Sequence, residues 1–267
     1  MTFRKLLVGL ADPVVAPRVM AAAAALATRQ RAHLLVVHIA SPHEPWRDGQ
    51  SVTGYVEAVH DVYEAHRDDD AFSSEWRVID DPVLSAGGVL AELANACDAL
   101  VLGHRHEREA LRPPWHLGER MIGMTRCPLL LVPDTRGRPF TAERVLVAWD
   151  NGTEIVRTVF DALPLLRTAT QVRVHRFDPA GAAREHVVGT AEAFAATLSR
   201  HGVPVVLSHS DVDRFAIGDA ILALAGEQEA GLVVAGARLH ARAREFLFGG
   251  TTRHLLEHAA RPLLLGG

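Results

Sequence analysis

Near the C-terminus the chain reads REFLFGGTTRHLL (Arg244 to Leu256), two adjacent glycines and two threonines ahead of a helical pattern. Glycines in such a place let the backbone approach a phosphate, and the N–H groups that open a helix face an anion. The same residues also make an ordinary tight turn closed by a threonine cap, so Gly249, Gly250, Thr251 and Thr252 carry both readings. Asp150, in AWDNGT (Ala148 to Thr153), ends an apolar run and precedes Asn151-Gly152, which reads as a turn into a helix capped by Thr153 or Asn151. Its carboxylate serves either that turn or a polar contact to a bound base or ribose.

Other chemistry-bearing residues give weaker patterns. The chain has fifteen histidines; His38 and His43 follow one predicted strand, and His104 and His106 follow another. A zinc site needs three or four such ligands, and Arg105 between the second pair opposes a cation, so ordinary surface or partly buried histidines are the simpler reading. SHSD (Ser208 to Asp211) holds the residue types of a hydrolase triad, but neighbours in a strand point to opposite faces. No G-x-S-x-G elbow, Cys–His pair or paired carboxylates emerge, which points away from an enzyme. Cys97 and Cys127 lie in apolar surroundings without metal spacing, as suits a reducing compartment.

The elements that must position these residues repeat along the chain. KLLVGLAD (Lys5 to Asp12) matches RVLVAWDN (Arg144 to Asn151), LVLGHR (Leu100 to Arg105) matches VVAGAR (Val233 to Arg238), and CPLLLVP (Cys127 to Pro133) matches RPLLLGG (Arg261 to Gly267). The three offsets are nearly equal and in order, which indicates duplication. PDTRGRPFTAE (Pro133 to Glu143) reads as the linker, giving two halves, 1–135 and 142–267. Strands are predicted at Lys5–Leu10, His33–Ile39, Glu75–Ile79, Ala99–Gly103 and Pro128–Val132. In the second half they fall at Arg144–Trp149, Gln171–Phe177, Val203–Ser208, Leu232–Gly236 and Pro262–Leu265. Helices are predicted near Ala16–Arg31, Val52–Arg67, Val83–Ala96 and Leu117–Thr125, then Glu154–Arg167, Ala182–His201, Phe215–Glu229 and Thr251–Ala259. Continuous Val/Leu strands without alternation imply burial on both faces. Alternating strands and helices imply an α/β fold, a doubly wound, mostly parallel five-stranded sheet in each half. Ligands of such sheets sit at the carboxyl ends of the strands, where the strand order reverses.

Composition narrows the function classes. With 267 residues, 48% hydrophobic and 22% charged, each half has material for its own core. A net charge of −4 without a basic stripe excludes nucleic acid as the expected partner. The alanine-rich run Val14 to Gln30 carries Arg18 and reads as a packed helix, not a membrane span. MTFRKLLVGLADP lacks the order of a signal peptide, so a cytoplasmic location is expected.

The second half resembles the universal stress protein domain, an α/β fold of the adenine-nucleotide α-hydrolase-like group. The resemblance rests on RVLVAWDNGTE, LVVAGAR, REFLFGGTTRHLLEHA and RPLLL. Nucleotide-binding members carry Gly, two residues, Gly, nine residues, Gly and then Ser or Thr. On this chain the first glycine is Gly236, the second position is Leu239, the third is Gly249, and Gly250 stands where the hydroxyl belongs. The resemblance implies an adenine nucleotide such as ATP held by Asp150, Gly236, Arg238, Gly249, Gly250, Thr251 and Thr252, with Arg242 also able to meet an anion. It further implies a non-enzymatic stress-response protein of two packed domains, an internal pseudo-dimer joined through PLLLV and PLLL, with a further homodimer plausible. The first half is more eroded: Ala11 stands opposite Asp150 with Asp12 following, Gly103 persists, and His106 replaces the second glycine. Pro113-Pro114 removes backbone donors from the loop Glu107 to Arg120. No nucleotide is expected there. An ATP-hydrolysing or phosphate-transferring enzyme, and a histidine-based metal-binding protein, remain the alternatives.

Overall fold

The computed structural model describes residues 2–11, 13–40, 52–80, 85–104, 117–134, 140–179, 190–237, 239–240, 247–248 and 250–266. The chain divides into two compact units, Thr2–Phe140 and Thr141–Gly267.

In the first unit the order is β1 (Lys5–Gly9), α1 (Ala16–Gln30), β2 (His33–Ala40), α2 (Val52–His66), β3 (Ser74–Asp80), α3 (Ala86–Ala94), β4 (Ala99–His104), α4 (Leu117–Ile122) and β5 (Leu129–Pro133). The strands lie parallel in the order β3-β2-β1-β4-β5. Leu6, Leu7 and Val8 of β1, and Leu34 to Val37 of β2, are fully enclosed, as an apolar run covered on both faces requires. Edge strand β3 departs from the reading of strands buried on both faces: its residues are half-buried or exposed, because one flank and part of each face meet solvent. Helix α1 opens with proline in its first turn and closes at Arg31, whose positive φ of 53° ends the helix.

The second unit repeats the plan with β6 (Arg144–Trp149), α5 (Thr153–Asp161), α6 (Leu163–Leu166), β7 (Gln171–Pro179), α7 (Thr190–Arg200), β8 (Val205–Val212), α8 (Ile217–Glu227) and β9 (Leu232–Gly236). It ends in β10 (Leu239–His240), β11 (Leu247–Phe248), α9 (Gly250–His258) and β12 (Leu263–Gly266). Its parallel strands run β12-β9-β6-β7-β8. The single helix expected over Glu154–Arg167 is two, α5 and the short α6, with Ala162 between them and Pro164 in the first turn of α6. The antiparallel pair β10–β11 has no counterpart in the sequence reading; two-residue strands leave no periodic signal. No described helix is long and apolar enough to cross a membrane.

Candidate functional site

Strand β6 is followed along the chain by its neighbour β7, whereas β9, on its other side, is reached only after β8 and α8. The order therefore reverses between β6 and β9, and the crevice of the second unit opens at their carboxyl ends. Ala148 pairs with Ala235, so one step further Trp149 lies beside Gly236 and Asp150 follows at the mouth.

Asp150 is exposed, and its Oδ1 accepts the Gly152 N–H at 2.9 Å. Asn151 takes the left-handed conformation at φ 59°, which asparagine tolerates better than most residues, and its Oδ1 accepts Trp149 Nε1–H at 2.6 Å. The expected cap is corrected: Gly152 is the N-cap of α5, Thr153 lies inside the helix, and no side chain caps it. The donor left at the turn goes instead to Asp150, whose short carboxylate reaches two residues on. Trp149 is 4% exposed and stacks on Phe194 at 4.3 Å, which fixes the floor from which Asp150 projects.

Gly236 is shaped by a neighbour within its own unit. A Cβ placed there would stand 2.7 Å from the backbone nitrogen of Ile155 and 3.1 Å from its Cα. Its ladder partner Gly266 is equally constrained, since a Cβ there would lie 2.6 Å from Thr158 Oγ1. Two glycines side by side on β9 and β12 thus form a seat for the first turns of α5. Thr158, fully buried, donates to Glu154 O at 2.7 Å. Neither Gly266 nor Thr158 stood out in the sequence, because a terminal glycine and a mid-helix threonine have many ordinary uses.

On the phosphate side of the motif, α9 begins at Gly250, which is exposed and whose Cβ position meets nothing within 4 Å. Thr251, half-buried, is the second helical residue. Thr252 is 6% exposed on the packed face with Leu255 and Leu256. Leu239 pairs with Phe248 in the β10–β11 hairpin, so the position of the family's second glycine is extended backbone that leucine suits. Arg238, Arg242 and Gly249 lie outside the described residues. The structure thus brings Asp150 and Gly236 together on adjacent strand ends and sets Gly250, Thr251 and Thr252 in the first turn of the last helix.

The corresponding end of the first unit is closed by its own side chains. His38, 1% exposed, donates Nδ1–H to Leu10 O at 2.7 Å, and Tyr55 Oη donates to Ala11 O at 2.5 Å. Trp76 stacks against His38 and Tyr63. Burial pushes the His38 pKa down, partly offset by its bond to Leu10. Asp12, His43 and His106 lie outside the described residues, and no described cluster of three His, Cys, Asp or Glu side chains could hold a metal ion.

Ser208 to Asp211 belongs to β8, longer than the sequence suggested. His209 and Asp211 face solvent, while Ser208 and Ser210 turn to His175 of β7. The Ser208 and Ser210 hydroxyls lie 2.8 Å from Nδ1 and 2.9 Å from Nε2 of His175. Arg173 donates to Ser208 Oγ at 3.1 Å and to Gln228 Oε1 of the turn after α8 at 3.2 Å. His175 lies 33 residues before Ser208, so only strand pairing reveals the network.

The sequence model of the universal stress protein family matches residues 142–265. A universal stress protein from Archaeoglobus fulgidus is similar with a TM-score of 0.70 at 13% identity, over 97% of this chain and 95% of that one. A Pseudomonas aeruginosa protein of unknown function gives 0.58 at 18% identity, over 99% and 92%. The cytoplasmic domain of a prokaryotic cation chloride cotransporter gives 0.52 at 14% identity, over 98% and 94%. At these identities the likeness is one of fold. Comparison with curated proteins yields no match. The repeated α/β units, the switch point beside Asp150 and the match over the second half converge: residues 142–265 match the universal stress protein family, and the fold of the chain is the one its solved neighbours share.

Proposed function

We propose that this chain is a non-enzymatic stress-response protein whose second half binds an adenine nucleotide, such as ATP, in the crevice between the ends of β6 and β9. The observation that carries the reading is the exposed Asp150 beside Gly236 at the switch point of a universal stress protein domain. Asp150 contacts the base or ribose. The N–H groups of Gly250 and Thr251, with Gly249 and Arg238, receive the phosphates, while Thr252 anchors that first turn by packing. Residues 1–135 act as a companion domain without nucleotide. There Ala11 stands in place of the acidic residue, and the carbonyls of Leu10 and Ala11 are already taken by His38 and Tyr55.

Calorimetric titration of the full chain with ATP, AMP and cyclic AMP tests this. The expected result is saturable binding of at least one of them without turnover, abolished in Asp150→Ala while the cooperative melting transition persists. Gly250→Ser restores the family's hydroxyl where space is open, and a new bond to a charged phosphate of about 1.4 kcal/mol corresponds to roughly tenfold tighter binding. No binding by either the natural chain or Gly250→Ser would defeat the proposal. Hydrolysis of ATP that disappears in Asp150→Ala would replace it with a phosphate-transferring enzyme.

A further inference from the structure

The chain's two cysteines lie 30 positions apart in sequence, yet both line one open cavity of the first unit with Ala94, Asn95, Met124 and Arg126. Neither is in a disulfide, and both are half-buried. Two pinned turns bring them there. Before β4, the Asp98 carboxylate accepts the N–H groups of Arg4 at 2.6 Å and Lys5 at 2.9 Å, and Asp98 N–H donates to Lys5 O at 2.8 Å. Before β5, Thr125 Oγ1 donates to Met121 O at 3.0 Å and Cys127 O at 3.3 Å. The turns are joined where Leu100 N–H donates to Pro128 O at 3.0 Å. Cys97 comes three residues before that donor and Cys127 one before that acceptor, and β4 and β5 are parallel. Both thiols therefore leave the sheet at the same end, opposite the strand ends that form a ligand crevice.

We infer that Cys127 and Cys97 are a peroxide-oxidised thiol pair, in which Cys127 attacks hydrogen peroxide and Cys97 resolves the product to an intramolecular disulfide. The Cys127 thiolate attacks one peroxide oxygen, the O–O bond breaks, and Cys127 becomes a sulfenic acid with release of hydroxide. The Cys97 sulfur then attacks the Cys127 sulfur, the S–O bond breaks, and the hydroxyl leaves as water with the Cys97 proton. Two thiols lose two electrons and two protons, and one peroxide becomes two waters. Arg126, exposed, stands next to Cys127 in the chain and lines the same cavity. Cys97 is set for the second role: its Sγ–H donates to Leu93 O at 3.5 Å, and burial pushes its pKa up, so it stays a thiol until the sulfenic acid forms. The half-buried cavity admits a small oxidant, and a thiol reductant reverses the bond. This inference is independent of the nucleotide reading.

The test is timed hydrogen peroxide treatment of the reduced full chain, with intact mass, non-reducing peptide mapping and dimedone trapping. The natural chain is expected to lose about 2 Da and to yield one Cys97–Cys127 peptide independently of protein concentration. In Cys97→Ser, dimedone is expected to trap a sulfenic acid at Cys127. In Cys127→Ser, Cys97 is expected to remain a thiol over the same time. Melting of both variants checks that the fold persists. Disulfides between chains, sulfinic acid without a bridge, or unreacted thiols in the natural chain would overturn the pair. Sulfenic acid at Cys97 in Cys127→Ser would overturn the assigned order.

Discussion

Gly236→Ala separates what this glycine does for the fold from what it does for a ligand. The new methyl would sit 2.7 Å from Ile155 N, against an ordinary limit near 3.4 Å, so α5 must retreat by about 0.7 Å from β9. That retreat is resisted because Ile155, Thr158 and Val159 are fully buried and the obstacle is backbone, which has no rotamer to change. Overpacking of this kind costs about 2–3 kcal/mol. Gly250→Ala is the control: its Cβ meets nothing, and exchanging a helical glycine for alanine should stabilise by about 0.5–1 kcal/mol. Native-state hydrogen exchange by mass spectrometry reads each segment separately. Amides of β6, β9 and α5 in Gly236→Ala should exchange roughly 30- to 140-fold faster, at tenfold per 1.4 kcal/mol, while those of β1, β2 and β4 stay unchanged. Unchanged exchange in Gly236→Ala together with lost nucleotide binding would refute the reasoning, because the glycine would then be a seat for the ligand and not for α5.

Two further outcomes follow from the buried polar groups. Burial, then the charges of Arg173 and His209, push the His175 pKa below its ordinary 6.5, against a smaller opposing effect of Asp178. The unfolded chain therefore binds the proton first, and stability should fall as pH drops below 6.5, flattening only beneath the folded value, at no more than about 1.4 kcal/mol per pH unit for this imidazole. His175→Gln should remove part of that slope in urea titrations between pH 8 and 5, and an unaltered slope would exclude His175 as its source. Tyr55→Phe leaves Ala11 O without its hydroxyl donor and should cost about 1 kcal/mol, read as a lower melting temperature; an equal melting temperature would show that this bond does not hold the closed end of the first unit.

Much of the fold was legible because its signals are local. Apolar runs such as KLLVG and RPLLL could only be enclosed strands, and β6 and β9 fall at the residues expected, Arg144–Trp149 and Leu232–Gly236. The repeat gives the order of elements twice, and the reversal rule places Asp150 at a strand end beside the switch point. Less legible were the edge strands: β3 (SEWRVID) and β8 (VVLSHSDV) mix polar and apolar residues without the continuous apolar run of the covered strands, and each lies at a sheet edge, half exposed. The cap of α5 is not legible because Asp150, Asn151 and Thr153 all have capping chemistry, and only the left-handed turn at Asn151 decides that Asp150 takes the Gly152 donor.

The sequence by itself determined the class of fold, the duplication and the position of an acidic residue at a strand end, since these depend on residues close together in the chain. Tertiary structure alone decided that Gly236 and Gly266 seat α5, that His175 joins Ser208 and Ser210, and that Cys97 and Cys127 share one cavity. Each of those relations joins residues from separate strands and helices. Strand order and register set such distances, and no short stretch of sequence encodes them.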